Sequence, residues 1–156
     1  AVAAHFKRVT LLVPDAAASA AFWQAVLGLR EWYRDEFAVD ARFPPAAPDG
    51  SRARLIVLAE SGGTDGCVGF LEYVDNAPAS PAPAARVAPG QPVLAFRCDD
   101  AFAIATRARE AGALAVTGPG RWQVPARDGG AVTLETVGVF DPNGVYAEAS
   151  ARVDPP

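Results

Sequence analysis

A single histidine, His5, and a single lysine, Lys7, set the chemical limits of this chain. Catalytic triads, histidine-rich metal sites and imidazole acid/base pairs reduce to one candidate residue or none. Schiff-base chemistry and a phosphate-loop lysine reduce equally to Lys7. Cys67 and Cys98 have neither metal nor redox spacing and stand in strand-like runs, so they read as reduced, buried thiols. What remains for chemistry is carboxylates, arginines and aromatic rings. Trp32, Tyr33 and Trp122 are candidates to stack on a planar ligand, with core packing as the other reading for the two tryptophans, while Trp23 reads as core or interface.

The elements that must position these residues are legible in the hydrophobic pattern. His5 to Val13 reads as a strand ended by Pro14, with Asp15 as helix N-cap. A helix is expected over about Ala16 to Leu27, with Ala18, Phe22, Ala25 and Val26 at helical spacing and Gly28 as C-cap. Leu29 to Phe37, Arg54 to Ala59 and Cys67 to Val74 read as three strands joined by turn-rich stretches. Asp75 to Gln91 is rich in proline and alanine and reads as an extended linker. The same order then begins again: strand Pro92 to Cys98, cap Asp99-Asp100, helix Ala101 to Ala111 closed by Gly112. Short strands around Leu114 to Val116 and Arg121 to Gln123, a long strand around Val132 to Phe140, the turn Asp141-Pro142-Asn143-Gly144 and a strand Val145 to Ala151 complete it. Gly62-Gly63, Gly118-Pro119-Gly120 and Gly129-Gly130 lack the strand-and-helix context of phosphate loops and read as turns.

Arg8 to Asp15 lies over Val93 to Asp100 at a constant offset of 85, each segment leading into a helix closed by glycine. Internal duplication follows. The expected fold is α+β: two tandem βαβββ modules forming a curved, cupped mixed sheet with helices outside, divided as residues 1–75, linker 76–91 and residues 92–156. Strand alternation puts Arg8, Thr10, Phe70, Glu72, Val74, Val93, Ala95, Arg97, Tyr146 and Glu148 on the inner face, leaving Leu11, Leu94 and Phe96 under the helices.

The runs RVTLLVPD followed by AAFWQAVLGL, then FLEYVD, VLAFRCDD, REAGA and FDPNGVYAEAS, together resemble the vicinal oxygen chelate superfamily, which includes glyoxalase I, bleomycin and fosfomycin resistance proteins and extradiol dioxygenases. Metal-using members take one ligand from the first and one from the fourth strand of each module. Carried over, those positions are Arg8 and Val93, and Glu72 and Glu148. Arginine and valine offer no ligand, a departure from the family pattern by which no transition metal and no cofactor are expected here, while a hard cation such as magnesium on the two glutamates stays open against Arg8. His5, three residues from Arg8, points to the opposite face roughly 10 Å away and reads as a surface or dimer-contact residue.

With 156 residues, 51% hydrophobic and a formal charge of -4, one globular domain is expected, and a phosphate backbone is an unfavourable partner. No apolar run approaches the roughly 20 residues of a membrane span and no signal pattern stands at the N-terminus, so a cytoplasmic location is expected. The expected function is a glyoxalase/bleomycin-resistance-like protein acting on or binding a small organic molecule in a cavity. Glu148 is the general base, Arg8 the oxyanion or carboxylate clamp and Glu72 the second carboxylate, with Thr10, Trp32, Tyr33, Phe70, Val93, Arg97, Trp122 and Tyr146 contacting the ligand. Such an enzyme would be a lyase or isomerase. The alternatives are a binding protein sequestering an aromatic molecule and, against the missing histidines, a metal-dependent lyase or dioxygenase. An Arg8–Glu148 or Arg8–Glu72 ion pair that merely fills the place of the metal is a structural alternative. The resemblance also implies a homodimer.

Overall fold

The computed structural model describes residues 7–40, 50–60, 66–75, 77, 79, 82–127 and 129–153. Among them the chain forms β1 (Arg8–Leu12), α1 (Ala16–Leu27), β2 (Arg30–Ala38), β3 (Arg52–Ala59), β4 (Cys67–Tyr73), β5 (Leu94–Arg97), α2 (Ala101–Glu110), β6 (Ala115–Pro125), β7 (Ala131–Phe140) and β8 (Tyr146–Val153). They fall into two compact units, residues 1–24 with 28–82, and residues 25–27 with 83–156.

Each unit builds its own four-stranded mixed sheet, and the orders match: β1-β4-β3-β2 in unit 1 and β5-β8-β7-β6 in unit 2. The first strand pairs with the fourth in parallel, and the remaining pairs are antiparallel. The architecture is the expected α+β pair of βαβββ modules, with the strands in two sheets rather than one. Strand patterns report a period of two but not which ladders join, so the sequence leaves that number open.

The duplication extends to backbone geometry. Asp15 caps α1 at φ -144°, ψ 99°, and Asp100 caps α2 at φ -147°, ψ 106°. The Asp15 carboxylate accepts from the Ala18 N–H at 2.8 Å, and the Asp100 carboxylate accepts from the Ala103 N–H at 2.9 Å. Each satisfies one of the four amides that a helix start leaves unpaired. Gly28 adopts the left-handed conformation immediately after α1. At α2 the C-cap is Ala111, with Gly112 left-handed one residue later.

Two elements depart from expectation. Leu114–Val116 and Arg121–Gln123 belong to one continuous strand, β6, whose register shifts between Thr117 and Gly120 around a cis Gly118–Pro119 bond. Proline usually ends a strand, but β6 is an edge strand with an irregularity there, which spares the missing donor. In α1 the buried side chains are Ala16, Ser19, Ala20, Phe22, Trp23 and Val26, while Ala25 is exposed. The Trp23 ring meets Phe22 edge-on at 5.0 Å, so Trp23 is core. α2 lies against β6, β7 and β8.

The core of unit 1 includes Leu55, Val57, Ala59 and Cys67, with Phe37 and Leu71 packed on them. Cys67 and Cys98 form no disulfide among the described residues, Cys67 being buried and Cys98 partly so. In unit 2 the turn after β7 is closed by buried Asp141, whose Oδ1 accepts from the Asn143 and Val145 amides at 2.9 and 2.8 Å. Among the described residues no helix is long and apolar enough to cross a membrane.

The paired caps predict that Asp15→Ala and Asp100→Ala each lower the unfolding free energy by about 1 kcal/mol, measured by urea denaturation. The double variant should lose close to the sum, because the caps belong to separate helices.

Candidate functional site

The β-ladders decide which side chains share a face. In unit 2, Ala95 pairs with Glu148, Glu148 with Gly138 and Gly138 with Thr117, a row crossing all four strands. Tyr146, paired with Phe140, and Ser150, paired with Thr136 and Arg97, lie on the same face two residues to either side of Glu148. Val93, half-exposed, precedes β5, and Trp122 is 48% exposed on the β6 edge opposite Leu134. The expected grouping of Ala95, Arg97, Tyr146 and Glu148 on one face holds, with Leu94 and the alanines of β8 on the other.

The centre of this face is polar. The Tyr146 hydroxyl donates to Glu148 Oε1 at 3.1 Å, and Oε2 has no protein partner among the described residues. Thr136 and Ser150 share a hydrogen bond of 2.6 Å. Thr117 Oγ1 donates weakly to the Gly138 carbonyl at 3.4 Å. Gly138 is what allows this crowding: a Cβ there would lie 2.6 Å from both Thr117 Oγ1 and the Tyr146 hydroxyl. Burial, followed by the hydrogen bond to Glu148, holds the Tyr146 phenol above its ordinary value of 10.0. The phenol is thus kept protonated as a donor; its contribution to stability is present below the ordinary value and lost as pH rises through the raised one. Arg97 is exposed on this face, and no salt bridge among the described residues uses it.

In unit 1 the corresponding row is Thr10–Gly69–Val57–Tyr33. Arg8 shares its face: a Cβ on Gly69 would lie 3.1 Å from Thr10 Oγ1, 3.3 Å from Arg8 Cδ and 3.4 Å from Leu55 Cδ1. The Tyr33 hydroxyl donates to Asp35 Oδ2 at 2.9 Å. That bond raises the Tyr33 phenol above its ordinary value, and the Arg8 charge opposes the rise. Trp32 occupies the register shift between Glu31 and Tyr33 and is 51% exposed.

Glu72 and Phe70 do not join that face, which corrects the sequence expectation. They pair with Arg54 and Ile56, one step out of phase with Gly69 and Leu55, so both point to the opposite side. Phe70 is fully buried there. Glu72 Oε2 accepts from the Ala16 N–H at 3.1 Å and from Arg54 Nη1 at 3.3 Å, and Arg54 reaches Glu36 at 3.3 Å. Glu72 is therefore a structural tie between β3, β4 and the start of α1. An Arg8–Glu72 pair is ruled out because the two residues leave opposite faces of one sheet. Arg8 is exposed, in no salt bridge among the described residues of its unit. Val74 lies just past the end of β4, and His5 lies outside the described residues.

The register also corrects the counterpart of Glu148. Thr10 and Ala95 are equivalent at the offset of 85; Thr10 pairs with Gly69 and Ala95 with Glu148. Gly69, not Glu72, occupies the fourth-strand position in unit 1. The positions the resemblance assigns to metal ligands are thus Arg8 and Gly69 in unit 1, and Val93 and Glu148 in unit 2. One carboxylate with a cation, a glycine and an alkyl group does not fit a transition metal.

Thr117, Thr136, Gly138, Ser150, Gly69 and Asp35 belong to these faces and were not singled out by sequence. The available signal was a glycine inside each strand pattern, in CVGF and TVGVF, which marks a close approach. Gly138→Ala should cost about 1 to 3 kcal/mol by overpacking and should break the Tyr146–Glu148 bond. The check is a urea midpoint together with the ultraviolet titration of Tyr146, which should return toward 10.0.

Residues 5–149 match the family model described as Glyoxalase/Bleomycin resistance protein/Dioxygenase superfamily. No curated relative matches the chain. Among solved structures, a glyoxalase family protein from Bacillus cereus is similar at 12% identity with a TM-score of 0.79, covering 99% of this chain and 97% of that one. TnmS3, an antibiotic binding protein from Streptomyces sp. CB03234, is similar at 20% identity and TM-score 0.57, covering 98% and 99%. A fosfomycin resistance protein from Listeria monocytogenes, crystallised with Mn(II) and a dihydroxypropylphosphonic acid, is similar at 16% identity and TM-score 0.56, covering 97% and 95%. With the family model spanning nearly the whole sequence, and the duplicated βαβββ modules in place, the chain belongs to the glyoxalase/bleomycin resistance protein/dioxygenase superfamily.

Proposed function

We propose that this protein binds a small organic molecule through the Tyr146–Glu148 face of unit 2, without a transition metal. The observation that carries the reading is the hydrogen bond that fixes Glu148 Oε1 and leaves Oε2 as an oriented acceptor in a half-buried site. A carboxylate held in that way accepts a hydroxyl or N–H proton from a ligand and, for a carbon acid, serves as general base. Thr117, Thr136 and Ser150 supply further hydroxyls, and Trp122 an exposed ring at the edge. The Arg8 face of unit 1, taken by itself, is proposed to hold an anionic or carbonyl oxygen. Support for the small-molecule reading also comes from the family and from the antibiotic binding and fosfomycin resistance proteins that share the fold. Simple sequestration needs only the acceptor and the ring; a lyase or isomerase would use Glu148 as base.

The proposal includes a cytoplasmic homodimer. β1 and β5 are sheet edges, and on them or beside them Leu12 and Val93 are 57% and 49% exposed, which favours a covering partner.

A thermal-shift screen of small organic compounds tests the function. Compounds that raise the melting temperature of the wild type should lose that effect in Glu148→Gln, with affinity falling about tenfold or more, the value of a charge-assisted hydrogen bond of about 1.5 to 3 kcal/mol. For any compound that is turned over, the same variant should slow the reaction at least about a hundredfold. Unchanged shifts and affinities in Glu148→Gln would refute the reading.

A further inference from the structure

In unit 1, Gly69 stands between Thr10 on β1 and Val57 on β3, and Tyr33 ends the same row on β2. The Arg8 side chain leaves β1 and passes over β4 where Gly69 has no side chain, its Cδ 3.3 Å from the point a Cβ would occupy. Its charge is felt at the Tyr33 phenol, which lies beyond β3 in the row. The missing side chain therefore clears a lane that directs a permanent cation across the sheet face. Thr10 Oγ1 borders the same point at 3.1 Å, so a hydroxyl lies beside the Arg8 side chain where it crosses β4.

We infer that Gly69 is a positioning residue for Arg8, and that Arg8 with Thr10 forms a subsite for the oxyanion of a ligand, a carboxylate in the first instance. The inference rests on the small-molecule reading above and narrows it to ligands bearing an anionic oxygen. The charges on this face are the cations Arg8 and Arg30 and the anion Asp35. Asp35 is already engaged: its Oδ2 takes the Tyr33 hydroxyl at 2.9 Å and its Oδ1 the Glu36 amide at 2.8 Å. Arg8 forms no ion pair among the described residues of its unit, so its donors are available to an incoming oxyanion. A carboxylate suits the site better than a phosphate dianion, because Asp35 adds repulsion for each further negative charge.

The test uses the full chain with benzoate and its neutral isostere benzamide, titrated by calorimetry and by the NMR signal of the Arg8 Nε–H. Benzoate should bind more tightly than benzamide and move the Arg8 signal. Arg8→Met should abolish the preference. Gly69→Ala keeps every charge but places its Cβ 3.1 Å from Thr10 Oγ1, 3.3 Å from Arg8 Cδ and 3.4 Å from Leu55 Cδ1, so these side chains must give by a few tenths of an ångström. In it the benzoate preference should fall at least about threefold, with the free Arg8 signal displaced. Thr10→Val, which keeps the volume and removes the hydroxyl, should lower the preference as well and stands in if Gly69→Ala does not fold. If Arg8→Met still prefers benzoate, the clamp role of Arg8 itself fails. If Arg8→Met loses the preference while Gly69→Ala keeps it within twofold, only the positioning by Gly69 is overturned.

Discussion

Side chains alternate across a strand, so the parallel pairing of the first with the fourth strand in each module decides which residues can act together. Thr10 opposite Gly69 and Ala95 opposite Glu148 are the same pairing made twice. A shift of one residue in either ladder would exchange the faces: Glu148 would turn toward α2, and Phe70 would leave the core of unit 1. The buried apolar residues opposite each row, Ile56, Leu58 and Phe70 in unit 1 and Val137, Val139 and Ala149 in unit 2, make that exchange costly, at roughly 1.5 to 3 kcal/mol per large side chain moved into water. The chemistry of each row thus depends on hydrophobic burial on the opposite side of its sheet.

The duplicated frame carries different contents. In unit 2 the fourth-strand position is a carboxylate, and the glycine has moved one strand further along the row, to β7, where it makes room for Tyr146 and Thr117. In unit 1 the glycine takes the fourth-strand position itself, and the space is filled by Arg8 and Thr10. One face has become acceptor-rich and the other cationic. Divergence of this kind is open to a duplicated fold because each sheet is closed by its own ladders and caps, so the side chain at the fourth-strand position can change without breaking them.

Much of the frame was legible in the sequence because its signals are local. Asp15 and Asp100 announce their helices by residue type and position, and the constant offset of 85 exposes the duplication. The face carrying Tyr146 and Glu148 was legible too, since the DPNG turn fixes where β8 starts and alternation does the rest. Glu72 was misread because FLEYVD resembles the closing strand of the second module in residue type, while the ladder that fixes its phase is made with β1, nearly sixty residues away. Its carboxylate answers instead to the unpaired first turn of α1 and to Arg54. Gly69 and Gly138 were passed over because a glycine offers no functional group, although what it leaves room for is what shapes each face.

The central claim is that the polar face of unit 2 holds one oriented carboxylate, Glu148, rather than the pair of ligands a metal would need. Manganese(II) added to the isotopically labelled protein tests it directly, because paramagnetic relaxation broadens the carboxylate carbons of any residue that ligates the ion. The account predicts that Glu72 and Glu148 broaden no more at substoichiometric manganese than the exposed carboxylates do. Selective loss of the Glu148 signal at that concentration would contradict it, since Glu148 would then be serving as a metal ligand.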